Sequence, residues 1–247
     1  MDGLLYRLYR LAMLATNTPP RQHQIESRKM PTTLQIAEPL AKALAVKGYE
    51  TLTPVQDAVI DPALAEQDLL VSAQTGSGKT VAFGLALAPT LLGDAPKLPE
   101  AGSPMALIIA PTRELALQVT KELQWLYAPA GGRITSCIGG MDMRDERRAL
   151  NRGVHIVVGT PGRLVDHIRR GSLDMETLNA VVLDEADEML NMGFREELEH
   201  ILEAAPEERR TLMFSATVSK PIARLATNYQ NDAVRVNTVS TLSLIHI

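Results

Sequence analysis

The hydrophobic residues of this chain fall into short, nearly continuous apolar runs that alternate with longer amphipathic stretches. Short runs rich in β-branched residues are typical of strands that are covered on both faces of a sheet. The runs are therefore predicted to be strands. Seven segments fit this description: residues 68–73, 106–110, 134–138, 155–160, 180–185, 211–217 and 233–237.

Helical patterns occupy the stretches between these runs, at residues 79–92, 112–127 and 195–205 among others. Alternating strands and helices predict an α/β domain with a mostly parallel sheet and helices on both faces. Ligands of such sheets bind at the carboxyl ends of the strands. Candidate functional residues are therefore expected directly after the strands.

Composition narrows the possible partners. The formal net charge of the 247 residues is -4, so any nucleic-acid site must be a local patch. No apolar run is long enough to span a bilayer, and the five histidines show no metal-ligand spacing, so neither a membrane nor a structural metal is expected.

Cys137, the only cysteine, lies in an apolar run and is expected to be buried. A single cysteine is consistent with a reducing compartment, and we expect a cytoplasmic protein.

The segment "AQTGSGKT" (73–80) joins the first predicted strand to a helix. Backbone N–H groups of such a glycine loop converge on phosphate oxygens, and the helix amino terminus adds partial positive charge. Lys79 would reach the β- and γ-phosphates, and the Thr80 hydroxyl would bind Mg²⁺. The alternative, a chance glycine turn, does not explain why strand, Lys-Thr pair and helix occur together.

The predicted strand at 180–185 ends in two adjacent carboxylates, Asp184 and Glu185. Asp184 could hold Mg²⁺ through a water molecule opposite Thr80. Glu185 could orient and deprotonate an attacking water. The catalytic candidates are thus Lys79, Asp184 and Glu185, and the alternative is a solvated acidic turn.

Together these segments resemble the DEAD-box ATP-dependent RNA helicases of bacterial type, specifically their amino-terminal RecA-like P-loop NTPase domain, over residues 31–239. The alanine at position 73 belongs to the phosphate loop of that family. The resemblance rests on seven segments in the family's order: "GYETLTPVQ" (48–56), "AQTGSGKT" (73–80), "PTRELALQ" (111–118), "GG" (139–140), "TPGRL" (160–164), "DEAD" (184–187) and "SAT" (215–217).

The resemblance implies ATP and Mg²⁺ as cofactors, with Gln56 pairing with the adenine edge. The family usually stacks an upstream aromatic residue on adenine, at a place near Pro31. No aromatic residue lies between Met30 and Gly48, and Tyr49 is a possible partial substitute. The loop residues that would bind ATP are Ala73, Gln74, Thr75, Gly76, Ser77, Gly78, Lys79 and Thr80.

The resemblance also implies a link between nucleotide and RNA, in which Asp187 bonds toward Ser215 and Thr217, on either side of Ala216. The alternative for "SAT" is a tightly packed strand end whose hydroxyls satisfy local backbone groups.

RNA is the implied partner, held through its backbone without base readout, because small, hydroxylated and basic residues suit phosphates and 2′-hydroxyls. Nearby, Arg144, Arg147, Arg148 and Arg152 either add RNA contacts or form a solvated helix face with Asp145 and Glu146 as partners. Trp125 and Tyr127 lie in a helical apolar pattern, so we expect packing rather than base stacking from them. The implied RNA-binding residues are Pro111, Thr112, Arg113, Gly139, Gly140, Thr160, Pro161, Gly162 and Arg163.

The expected organisation is a disordered leader at 1–29, one RecA-like domain at 30–239 and a tail at 240–247. The leader is either an unstructured extension or a transit peptide, and the tail "LSLIHI" is either a natural terminus or read from adapter sequence. The family implies a second RecA-like domain that supplies an arginine finger, and that domain is missing from this chain. We therefore expect weak ATP and RNA binding here, little hydrolysis and no unwinding. The alternatives are a single-domain ATP/RNA-binding module, a DNA helicase or another P-loop ATPase.

Overall fold

The computed structural model describes residues 36–238, and all seven predicted strands are present there in one sheet. Every neighbouring pair of strands is parallel, so the α/β prediction is confirmed. The expected leader, the tail and the position near Pro31 lie outside the described residues. The strands are β1 (Leu69–Ser72), β2 (Ala106–Ile109), β3 (Ile134–Cys137), β4 (Ile156–Gly159), β5 (Ala180–Leu183), β6 (Arg210–Ser215) and β7 (Val234–Asn237).

Helices connect the strands, and the three predicted from their apolar period are present. Among residues 36–238, no helix is both long and apolar enough to cross a membrane. The helices are α1 (Glu38–Val46), α2 (Pro54–Val59), α3 (Lys79–Leu92), α4 (Arg113–Tyr127), α5 (Met143–Asn151), α6 (Pro161–Arg169), α7 (Ala186–Asn191), α8 (Arg195–Ala204) and α9 (Lys220–Tyr229), with single 3₁₀ turns at Pro62–Leu64 and Ala128–Ala130.

The order of the strands across the sheet is β3-β4-β2-β5-β6-β1-β7. Because all strands are parallel, the loops that follow them emerge at one edge of the sheet. This edge has two halves. The loops after β5, β6 and β1 are neighbours in one half, and the loops after β2, β4 and β3 are neighbours in the other.

The core consists of two apolar layers, one on each face of the sheet, because successive strand residues point to opposite faces. In β1, Leu69 and Val71 belong to one layer and Leu70 to the other. Tyr127 is fully buried and its hydroxyl donates to the Gly84 carbonyl, so its predicted packing role is confirmed. The expected burial of Cys137 is also confirmed.

Candidate nucleotide and RNA sites

The loop after β1 has the backbone of a phosphate cradle. Gly76 and Gly78 have φ angles of +79° and +88°, a region that glycine enters without steric cost. At Gly78 a Cβ atom would also lie 2.5 Å from Nε2 of Gln56. Helix α3 begins at Lys79 directly after this loop, so its amino terminus points toward the place where phosphates would lie.

Lys79 and Glu185 form a buried ion pair across the sheet edge. The distance between Lys79 Nζ and Glu185 Oε1 is 2.8 Å, and the two side chains are 6% and 9% exposed. Lys79 also donates to the Ala73 carbonyl, and the Thr75 hydroxyl donates to Glu185. Asp184 and Glu185 directly follow β5, so the sheet brings the two predicted halves of the nucleotide site together.

Asp184 has the properties of a metal-associated carboxylate. It is 2% exposed, and its Oδ1 has no hydrogen-bond partner among the described residues. Burial raises the pKa of Asp184, the Lys79 charge opposes this shift and the Glu185 charge adds to it, with a net pKa of about 7. A buried carboxylate oxygen without a partner is what a hydrated Mg²⁺ would satisfy. The Ser77 hydroxyl in the phosphate loop is likewise buried without a partner.

Glu185 has a left-handed backbone, with φ and ψ both 51°. This region is uncommon for residues with a Cβ atom, and such strain persists where the surrounding structure holds it. Here Glu185 precedes α7, and its side chain is held by Lys79 and Thr75. The strained turn therefore directs the carboxylate toward the phosphate loop.

Gln56 connects the "GYETLTPVQ" segment to the phosphate loop. It is 1% exposed, its Nε2 donates to the Gly78 carbonyl at 3.2 Å, and its Oε1 accepts from the Thr53 backbone N–H. The amide retains a second N–H and a second lone pair, which a base edge could use. Tyr49 lies elsewhere: its ring packs 6.0 Å from that of Trp125. The adenine role of Tyr49 stays a prediction that no contact supports.

Asp187 and Thr217 connect the loops after β5 and β6, which are adjacent strands. Both the backbone N–H and the hydroxyl of Thr217 donate to Asp187 Oδ2, at 3.0 and 2.9 Å. Burial raises the pKa of Asp187, but the hydrogen bonds from the hydroxyl and the backbone N–H of Thr217 hold it below the usual value. Ser215 itself is fully buried and donates to the Thr217 carbonyl. Ala216 lies between these two residues. Asp187 thus contacts Thr217 directly but is not hydrogen-bonded to Ser215 in the geometry seen here, and the coupling role of these residues stays a prediction.

The nine predicted RNA residues lie in the other half of the edge, in the loops and first helical turns that follow β2, β3 and β4. Thr112 caps α4 by accepting from the Leu115 N–H, and Arg113 is exposed with its guanidinium against Gly140. Gly140 has a φ angle of +80° and could not accommodate a Cβ beside Arg113. Gly162 is exposed, whereas Gly139, Thr160 and Arg163 are half-buried and Pro111 and Pro161 are buried.

Glu146 connects these predicted RNA-binding segments, called the RNA segments below. It is 6% exposed and accepts from the Ile138 N–H at 2.9 Å and from Arg163 Nη1 at 2.9 Å. His167 Nε2 lies 2.7 Å from the same carboxylate. Arg163 Nη2 also donates to the Met141 carbonyl, so the guanidinium joins α6 to the loop after β3. The expectation that Glu146 pairs with arginines of its own helix is wrong, because the residue lies on the inward side of α5.

Comparison with known proteins agrees with this arrangement. Residues 53–225 match the family model described as DEAD/DEAH box helicase. The chain belongs to the DEAD/DEAH box helicase family.

Relatives and a solved structure support the assignment to the DEAD/DEAH box family. The chain is 45% identical over 202 residues to the DEAD-box ATP-dependent RNA helicase CshA of Bacillus licheniformis, covering 82% of this chain and 40% of the relative. It is 44% identical over 199 residues to CshA of Geobacillus kaustophilus, covering 81% of this chain and 41% of the relative. The structure of a DEAD box protein from Methanococcus jannaschii matches with a TM-score of 0.76 and 36% identity, over 85% of this chain and 56% of that one. The chain thus spans about two fifths of these helicase relatives.

Within this DEAD-box chain, reasoning from the sequence missed a buried cluster formed by Cys137, Glu146 and His167. Their potential ligand atoms all lie within 4.8 Å of one another. Glu146, however, already accepts from Arg163, whose positive charge disfavours a second cation there. Burial, followed by the Glu146 charge, raises the pKa of the Cys137 thiol to about 12. We therefore interpret the cluster as a hydrogen-bond network that supports the RNA segments. One feature of the sequence could have indicated that Glu146 is buried. At helical spacing Glu146 shares a side of α5 with Ala149 and Leu150, which is the apolar side of an otherwise polar helix.

A groove of about 670 Å³ lies beside the RNA segments of this DEAD-box chain. Gly139, Thr160, Gly162 and Arg163 line one side of it. Residues that the sequence did not single out line the remainder, among them Arg169, Phe194 and His200. These residues line the groove only because α6 packs against α8, and no local sequence pattern predicts that packing.

Proposed function

We propose that the chain is the ATP-binding half of an ATP-dependent RNA helicase that locally separates the strands of structured RNA in the cytoplasm. One observation carries the proposal: two sites share a single edge of the sheet. The ion pair of Lys79 with Glu185 lies in one half of this edge, and the contact of Arg113 with Gly140 lies in the other half. The Asp187–Thr217 contact lies in the half that holds Lys79. The names of the relatives agree, since they are ATP-dependent RNA helicases.

ATP binding would exchange the partner of Lys79. The β- and γ-phosphates would take the ammonium group, and Glu185 would be free to orient a water and accept its proton. Mg²⁺ bound with ATP would neutralise charge on the phosphate oxygens, with the Thr80 hydroxyl and, through water, Asp184 as its holders. The unpartnered Oδ1 of Asp184 supports this assignment.

Gln56 would select ATP over GTP. Its amide is fixed against the phosphate loop by Thr53 and Gly78, and its free donor and acceptor match the adenine edge. RNA would bind by its backbone along Thr112, Gly140 and Thr160, beside the exposed Arg113. These contacts position a strand and do not select a base sequence.

Hydrolysis and unwinding would need a second RecA-like domain, which contributes an arginine finger and closes on this one. The relatives are more than twice as long as the segment that matches, which leaves room for such a domain in them. The chain by itself should bind ATP and RNA weakly and turn over little ATP.

The test is to fuse the carboxyl-terminal part of the Bacillus licheniformis relative after residue 238 and to measure ATP hydrolysis. We expect the fusion to hydrolyse ATP, RNA to stimulate hydrolysis and single-stranded DNA of equal length not to. Lys79→Ala should abolish activity. Equal stimulation by DNA would instead favour a DNA helicase, and rapid turnover by the unfused chain would contradict the dependence on a second domain.

A further inference from the structure

The outward side of α5 is strongly basic. Successive helix residues are rotated by about 100°, which places Met143, Glu146 and Leu150 on the inward side. The opposite side contains one acidic residue of the helix, Asp145, which lies beside Arg148, and the exposed Asp142 caps the start of the helix. The exposed arginines there, called the basic face below, are Arg144, Arg147, Arg148 and Arg152.

The positive charge of this basic face is opposite in sign to the net charge of the whole chain, which has 25 Lys and Arg and 29 Asp and Glu. Asp145 pairs with Arg148 at 2.8 Å, but both side chains are 71% exposed and such pairs are weak. Glu146 points inward and is engaged by Arg163. No acidic side chain within residues 36–238 forms an ion pair with Arg144, Arg147 or Arg152, so the face has net positive charge.

The basic face adjoins the RNA segments. Helix α5 begins three residues after Gly140, and the Met141 carbonyl between them accepts from Arg163. Since α5 connects two parallel strands, it runs from the functional edge of the sheet back along β3, the outermost strand. The nine residues from Arg144 to Arg152 span about 12 Å.

A groove of about 370 Å³ continues this surface at the far end of α5. It is lined by Arg133 and Arg152 together with Gln124 and Thr135, and no acidic residue lines it. Arg133 Nη1 donates to the Arg152 carbonyl at 3.1 Å, which holds the end of the helix beside β3. Basic and neutral polar groups therefore extend from the RNA segments to the opposite end of the sheet.

We propose that the basic face is a second RNA-contact surface, which binds phosphates of the RNA beyond the strand held at the functional edge. The inference rests on the proposed function, because it presumes RNA at that edge. Exposed guanidinium groups bind phosphates without reading bases. A length of 12 Å matches three to four nucleotides of one strand at roughly 3.4 Å per nucleotide. The face would lengthen the site and strengthen its salt dependence.

The experiment compares single-stranded RNAs of about 6 and about 20 nucleotides, by fluorescence anisotropy over a range of salt concentrations. The variant is Arg144→Gln/Arg147→Gln/Arg148→Gln, which keeps helix-forming residues on an exposed surface. Its matched control is Lys42→Gln/Lys97→Gln/Arg224→Gln, which removes the same charge from exposed positions on other elements. Urea unfolding checks that both variants are folded.

We expect the arginine variant to bind the long RNA about tenfold more weakly than wild type at low salt, with a salt slope smaller by about 2. The short RNA should bind wild type and variant equally, and the control should match wild type with both. Unchanged binding of the long RNA would overturn the proposal. That result would instead favour an acidic protein as the partner of the basic face. Equal weakening with both RNAs would also overturn it, because the face would then not be an extension. Wild type that binds neither RNA would contradict the proposed function itself.

Discussion

Lys79 and Glu185 are 106 residues apart in the sequence, yet their side chains form an ion pair of 2.8 Å at the carboxyl edge of the sheet. The ammonium group that would bind phosphate therefore holds the carboxylate that would act on water. Because the pair is buried, neither partner can be removed without leaving the other charge in a poorly solvated place. A phosphate that bound Lys79 would thus release Glu185 in the same event.

Replacing Lys79 by methionine should test this coupling in the absence of nucleotide. Met fills similar space but leaves Glu185 buried without a cation, so the free energy of unfolding should fall by about 3 kcal/mol. The double variant Lys79→Met/Glu185→Gln should lose less than the sum of the single variants. Urea denaturation of the four proteins gives the coupling energy. Strict additivity would mean that the ion pair contributes nothing to the fold.

Stability should depend on pH through Asp184. Burial raises its pKa from 3.8 to about 7 in the folded protein. The folded state then binds a proton more tightly than the unfolded state, so this contribution is fully present below pH 3.8 and is lost as pH rises to about 7. The difference corresponds to about 4 kcal/mol of unfolding free energy.

Asp184→Asn provides the control for the pH dependence, because the amide mimics the protonated carboxyl and does not titrate. Urea unfolding from pH 4 to pH 8 should show wild type losing stability relative to Asp184→Asn by roughly this amount. A constant difference between the two proteins across this range would show that Asp184 is ionised throughout.

Gly78 should not tolerate a side chain. Its φ angle is +88°, and a Cβ would lie 2.5 Å from Gln56 Nε2. Gly78→Ala should lower the free energy of unfolding by about 1–3 kcal/mol and weaken ATP binding, since the loop must shift to admit the methyl group. Gly102→Ala is the matched control, because nothing lies within 4 Å of its Cβ position. Equal stability of both variants would contradict this view of the loop.

Arg163 should resist replacement even by lysine. Its Nη1 donates to Glu146 and its Nη2 to the Met141 carbonyl, and a lysine ammonium on a flexible stem cannot reproduce this fork. Arg163→Lys should reduce RNA affinity and lower the free energy of unfolding by about 1–3 kcal/mol. Arg169→Lys, on the same helix but exposed, should change stability by less than about 0.5 kcal/mol. Wild-type behaviour of Arg163→Lys would show that the fork is dispensable.

The sequence alone predicted the strands and the order of the motifs, because buried parallel strands are continuous apolar runs with functional residues after them. It did not predict that β6 lies between β5 and β1. The contact between Asp187 and Thr217 could therefore be expected only from the resemblance to the family. Glu146 was misassigned because a charged residue among arginines looks like a surface partner. Its true partner, Arg163, lies on another helix, and only the packing of α5 and α6 brings the two together.

The most direct test is a calorimetric titration of the chain with Mg·ATP and with Mg·GTP, using Lys79→Met as the control. We expect binding of ATP with a dissociation constant between about 1 μM and 1 mM, no measurable heat with GTP, and loss of the ATP signal in Lys79→Met. Equal binding of GTP would contradict the role of Gln56. Binding of ATP that survives Lys79→Met would contradict the nucleotide site itself.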